Sequence, residues 1–142
     1  MAEAGEVLEG RAGFQLRLIQ TAAETDGELL EMEATYSGDG QYPPVHMHPN
    51  QLERFEVLEG AVLTIVDGVE RRYEPGDTFE VPAGTPHQMK GDGPAKTLWQ
   101  VRPALRTAEF FERVFAQAAG DPAEEGVNLF EEFSDEIRLI LE

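Results

Sequence analysis

The chain contains three histidines, a residue type that can ligate a metal ion. His46 and His48 form a His-x-His pair. Residues two apart in a strand project to the same side, so both imidazoles can face one ion. Glu53 lies five residues past His48, within reach if a turn at Pro49-Asn50 sends the chain back antiparallel. His87 follows Pro82-Ala83-Gly84-Thr85-Pro86 and can bring a third imidazole from another strand. Taken singly, each histidine is more often an ordinary core or surface side chain than a ligand.

The elements that must position them read as strands. Residues 14–20 alternate apolar and polar, and residues 30–36 keep Leu30, Met32, Ala34 and Tyr36 on one parity. Further short strands are expected at 45–48, 55–58, 61–66, 69–73, 78–81, 87–90 and 97–101, with Asp67-Gly68 as a tight hairpin turn. Many short strands between Gly/Pro turns indicate a closed barrel or a sandwich. The first ten residues read as a loose tail, and 21–27 as a turn. After Pro103 the period becomes helical. Phe110, Phe111, Val114 and Phe115 predict a helix from about Thr107, ended by Gly120-Asp121-Pro122. A second helix is expected from Asn128, an N-cap candidate, with Leu129, Phe130, Phe133, Ile137, Ile140 and Leu141 as its stripe.

Composition removes several classes. The 142 residues suit one domain. The absence of cysteine excludes disulfide scaffolds, thiolate metal sites and cysteine nucleophiles. With 28 acidic and 11 basic side chains the net charge is -17, which argues against nucleic acid as a partner. Residues 1–36 carry -6, residues 37–108 carry -3 and residues 109–142 carry -8, so the histidine-bearing middle is nearly balanced. No apolar run is long enough to span a bilayer, and the acidic start does not resemble a signal peptide. The expectation is a cytoplasmic protein without a membrane partner.

The segment Gly40-x5-His46-x-His48-x4-Glu53-x6-Gly60 resembles the first motif of the cupin superfamily, and Gly76-x5-Pro82-x-Gly84-x2-His87 resembles the second. One position departs: the second motif usually closes with Asn four residues after its His, where this chain has Gly91. The resemblance implies an all-β fold, a double-stranded β-helix (jelly-roll) barrel over about residues 12–103. Two C-terminal α-helices over 104–142 are then an extension of the same domain. It implies His46, His48, Glu53 and His87 as ligands of one divalent transition metal. Three imidazoles and one carboxylate suit Mn, Fe, Co, Ni or Zn. A homodimer is the usual state of the family, and the tail helices either pack on their own barrel or help to form that dimer.

Inward strand parity nominates Tyr36, Phe55, Phe79, Met89 and one of Trp99 or Gln100 for the pocket, with Gln51 near its mouth. With every histidine in the cluster, none is left as a general acid or base, so an activity would run through the metal. A metal-dependent enzyme on a small organic molecule follows, of dioxygenase, isomerase, decarboxylase or lyase type. The alternatives are a metal-containing binding or sensing module without turnover, and a metal-free structural barrel.

Overall fold

The computed structural model describes residues 2–10, 13–38 and 40–140. Two antiparallel sheets face each other. The larger runs β1 (Val7–Glu9), β2 (Gln15–Gln20), β3 (Leu30–Tyr36), β10 (Ala95–Arg102), β5 (Leu52–Glu59), β8 (Thr78–Val81). The smaller runs β11 (Arg138–Leu139), β4 (His46–Met47), β9 (His87–Gly91), β6 (Val62–Val66), β7 (Val69–Tyr73). Among the described residues, three short α-helices complete it, α1 (Ala22–Thr25), α2 (Thr107–Ala118) and α3 (Leu129–Glu132), with a 3-10 turn at Pro122–Glu124. No helix among the described residues is long and apolar enough to cross a membrane.

Strand alternation sets the core. Leu16 and Leu18 on β2, Met32 and Ala34 on β3, Phe55 on β5, and Trp99 and Val101 on β10 are buried together between the sheets. Glu31 and Glu33, on the other parity of β3, bond to Gln20 and Arg17 on the outer face. The β6–β7 hairpin turns at Asp67 and Gly68, which take φ of 50° and 79°, as a type I′ turn requires.

Four elements differ from the sequence expectation. The turn expected at 21–27 holds the single helical turn α1, with Thr21 and Glu24 as its capping box. Residues 7–9 form β1, because Val7, Leu8 and Glu9 pair with Arg17, Leu16 and Gln15. Strand β5 begins at Leu52 rather than Phe55: Glu53 occupies an inward position that an apolar pattern does not reveal. The second tail helix is a single turn. Asn128 does cap it, its side chain accepting from the Glu131 N–H. The chain then leaves the helix through turns at Phe133, and Arg138 and Leu139 pair with Met47 and His46. The open edge of β4 offers backbone partners that a continued helix would leave unmet, so tertiary pairing overrides the periodicity. Leu141, assigned to that helix, lies outside the described residues.

The tail packs on its own barrel. Phe110, Leu129, Phe133 and Ile137 form a small buried cluster, while Phe111 and Phe115 reach the main core. Arg106 bonds to Glu136 and lies over the Phe133 ring. Arg113 grips Glu124 with two nitrogens and also contacts Glu132.

Candidate metal centre

The four nominated residues converge from three strands. His46 of β4 pairs directly with His87 of β9, and His48 projects from the same side of the chain as His46. Gly84, at φ 77°, donates its N–H to the His48 carbonyl at 2.9 Å, fastening the loop before His87 to the His-x-His segment. One potential ligand atom from each histidine lies within 4.8 Å of the others. Glu53 of β5 brings Oε1 to 3.3 Å from His48 Nε2 and 3.0 Å from His87 Nε2. His48, Glu53 and His87 are buried.

Every imidazole is oriented by a backbone carbonyl. Nδ1 of His46 donates to Pro44 at 2.9 Å, that of His48 to Glu136 at 2.8 Å, and that of His87 to Thr85 at 2.9 Å. A carbonyl only accepts, so each Nδ1 carries a proton and each ring turns its Nε2 inward. Burial, and secondarily His87, pushes His46 down to about 4, keeping it neutral through mildly acidic solution. Burial alone would raise the Glu53 carboxyl, but His48, His87 and His46 outweigh it and hold the group below its ordinary value. Burial would lower His87, and Glu53 outweighs that and raises it.

This donor set fits a divalent cation. His48 Nε2 and Glu53 Oε1 are buried and have no hydrogen-bond partner of good geometry. Nitrogen and carboxylate oxygen are the donors that borderline divalent ions prefer.

The supporting contacts reach well beyond the strand carrying the pair. Trp99 Nε1 donates to Glu53 Oε2 at 2.9 Å, fixing the carboxylate from β10. The Glu136 carbonyl that holds His48 comes from the C-terminal segment, 88 residues away in sequence. A backbone acceptor has no side-chain signature, so no motif announces it. The helical turn at 129–132 with the β11 pairing is what delivers it.

The cluster lies in a cavity of about 450 Å³. Of the residues nominated for its wall, Tyr36, Phe55, Met89 and Trp99 line it. Gln51, Phe79 and Gln100 are placed elsewhere. Gln51 is buried, but its amide donates to the Pro103 and Ala104 carbonyls and to Thr107 Oγ1, tying the start of α2 to the barrel. Phe79 stacks between Phe55 and Tyr73, at centroid distances of 5.0 and 4.2 Å, one layer behind the wall. Gln100 has the parity opposite to Trp99 and bonds to Glu31 and Arg102 on the outer face. The sequence reading missed the contribution of the tail: Phe110, Phe111, Val114, Phe130, Ile137 and Leu139 also line the cavity. Helical spacing marks all of them but Leu139 as buried, without saying against what.

Gly91, the position that departs from the second motif, has a local cause. A Cβ there would lie 2.7 Å from the Gly93 carbonyl oxygen and 2.9 Å from Tyr36 Cβ, so the bend admits only glycine.

Comparison with known proteins agrees with this architecture. A family model for the cupin domain matches residues 32–101, which include all four residues of the cluster. Quercetin 2,3-dioxygenase of Bacillus subtilis (strain 168) is 31% identical over 78 residues, 55% of this chain and 23% of that protein. The chain thus spans about a quarter of the length of the curated relative it matches. An RmlC-like cupin from Shewanella frigidimarina superposes with a TM-score of 0.63 at 22% identity, covering 75% of this chain and 91% of the other. KdgF from Halomonas sp. does so with a TM-score of 0.61 at 21% identity, covering 69% and 86%. Motif spacing, sheet topology and these likenesses agree: the chain belongs to the cupin superfamily.

Proposed function

We propose that the protein is a divalent-metal-dependent enzyme acting on a small organic molecule, with His46, His48, Glu53 and His87 as the ligands. The reaction types in view are dioxygenase, isomerase, decarboxylase and lyase. The carrying observation is the convergence of one ring nitrogen from each of His46, His48 and His87 within 4.8 Å, with Glu53 Oε1 against two of the rings and the buried His48 Nε2 left without a hydrogen-bond partner. Leaving a buried polar atom unpaired costs about 1–3 kcal/mol, a cost that a bound cation removes. An ion there would supply Lewis-acid polarisation of a substrate oxygen, or a place to activate dioxygen. The chain's own residues bind and orient. The three Nδ1 bonds hold the rings, Trp99 holds the carboxylate, and the apolar wall excludes water. Burial raises the Tyr36 phenol, which therefore stays protonated. That the curated relative is a dioxygenase supports keeping oxygen chemistry among the four types.

The test is elemental analysis of untagged protein, followed by turnover of a small-molecule panel with Mn, Fe, Co, Ni or Zn loaded in turn. One equivalent of metal, lost in His48→Ala, is the expected result. Protein that holds none of these ions would defeat the reading. A second reading, a binding or sensing module in a cytoplasmic homodimer, draws on the chain's histidine count: all three sit in the cluster, so no imidazole remains as a free base. Metal and ligand bound without turnover would favour it.

A further inference from the structure

The cavity wall has a composition that selects its occupant. Barrel residues Phe14, Tyr36, Phe55, Met89 and Trp99 form one side. The tail closes the other with Phe110, Phe111, Val114, Phe130, Ile137 and Leu139, all outside the residues matched by the family model. Aromatic faces and edges dominate. Trp99 stacks on Phe55 at 5.3 Å and meets Phe111 edge-on at 5.4 Å. His46, His48, Glu53 and His87 form the polar cluster of the lining, and Ser37, Gln41 and Lys90 are its other polar side chains besides the Tyr36 phenol. No arginine is among the described lining residues, and the ammonium of Lys90 is held over the Tyr42 ring at 4.7 Å. The Trp99 indole N–H is committed to Glu53.

We propose that this cavity takes a planar aromatic molecule with two adjacent oxygen donors at one end, and that the C-terminal segment is the specificity-determining wall. The inference rests on the cavity being the site of the proposed reaction. A volume of about 450 Å³ falls within the range of small-molecule sites, roughly 300–1,000 Å³. Aromatic side chains receive an aromatic ring by offset and edge contacts. The two oxygens meet the polar end, where the cation would lie. A sugar acid fits poorly. Most of its hydroxyls would face Phe, Val and Ile rather than the few polar side chains of the lining, Ser37, Gln41 and Lys90, and its carboxylate would find no arginine fork.

Trp99 is the chain's one tryptophan and lines the cavity, so its emission reports the occupant. Full-length Zn(II)-loaded protein is titrated with a naphthalenediol bearing adjacent hydroxyls, with naphthol, and with galacturonate, each checked by calorimetry. The diol is expected to bind about a hundredfold more tightly than galacturonate, with naphthol between them. Val114→Lys, which sets a charge in the tail wall, is expected to weaken the diol at least about tenfold with zinc content unchanged. Phe130→Leu, a milder change, is expected to weaken it a few-fold and serves if the lysine variant fails to fold. Galacturonate binding as tightly as the diol, or diol binding indifferent to both variants, overturns the inference. Diol that binds metal-free protein as tightly as loaded protein upholds the apolar occupant and counts against the metal-dependent reading. Firmly held zinc with galacturonate preferred does the reverse.

Discussion

At the scale of single residues, the Glu53 carboxylate is the junction of the site. One oxygen faces the imidazoles, and the other accepts the Trp99 indole N–H at 2.9 Å. Trp99→Phe keeps an aromatic ring but removes the donor, leaving Glu53 Oε2 buried and unmet. The expected cost is about 1–3 kcal/mol of stability in metal-free protein, with metal affinity falling about 10–100-fold because the carboxylate is no longer aimed. Chemical denaturation followed by circular dichroism, and competitive metal titration, measure the two effects. Unchanged affinity would show that the indole merely packs. The convergence of these four residues was legible in the sequence because strand parity and turn position are local properties. Histidines two apart share a face, and a glycine–proline loop returns the chain. The carbonyls that orient the rings were not legible, since any residue type offers one. Gln51 misled for the opposite reason: a polar side chain near a motif invites a role in the pocket, and this one satisfies the start of a helix instead.

At the scale of elements, the short C-terminal segment does more than cover the barrel. It carries Glu136, whose carbonyl holds His48, and β11, which pairs with the strand bearing His46. Phe133 is its anchor, buried against Phe110 and beneath the Arg106 guanidinium. Phe133→Ala is expected to cost about 3–5 kcal/mol, the usual range for a buried Phe. The loss falls on the segment, because β3, β10 and β5 pair independently of it. Hydrogen exchange is expected to rise over residues 128–140 while β10 stays protected, and metal affinity to fall at least about tenfold. Equal acceleration across the whole barrel, or intact affinity, would contradict this coupling. The barrel strands were predictable from alternation. The segment was not, because its apolar spacing suits a helix and only the open edge of β4 makes a strand preferable.

At the scale of the whole molecule, folding brings the two acid-rich ends together. Strand β1 packs against α2, and Glu6, just before it, faces Glu112. Partial burial, then the hydrogen bond to Glu6 and its charge, push the Glu112 carboxyl up to about 7. The folded-state value therefore exceeds the unfolded value of 4.5. Between these two pH values the native state holds a proton that the unfolded chain has released. The contribution is favourable below the lower value and is lost as pH rises through the upper one. Glu112→Gln imitates the protonated carboxyl at every pH. It is expected to raise the melting temperature at pH 8, where wild-type Glu112 is charged beside Glu6, and to change it little at pH 4, where wild type is already protonated. Added salt is expected to narrow the difference at pH 8, because screening weakens repulsion between partly exposed carboxylates. Equal melting temperatures at pH 8 and low salt would mean that the two ends relax apart rather than share the proton. The net charge of -17 would then act as a diffuse property of the surface, without a point at which pH takes hold of the fold.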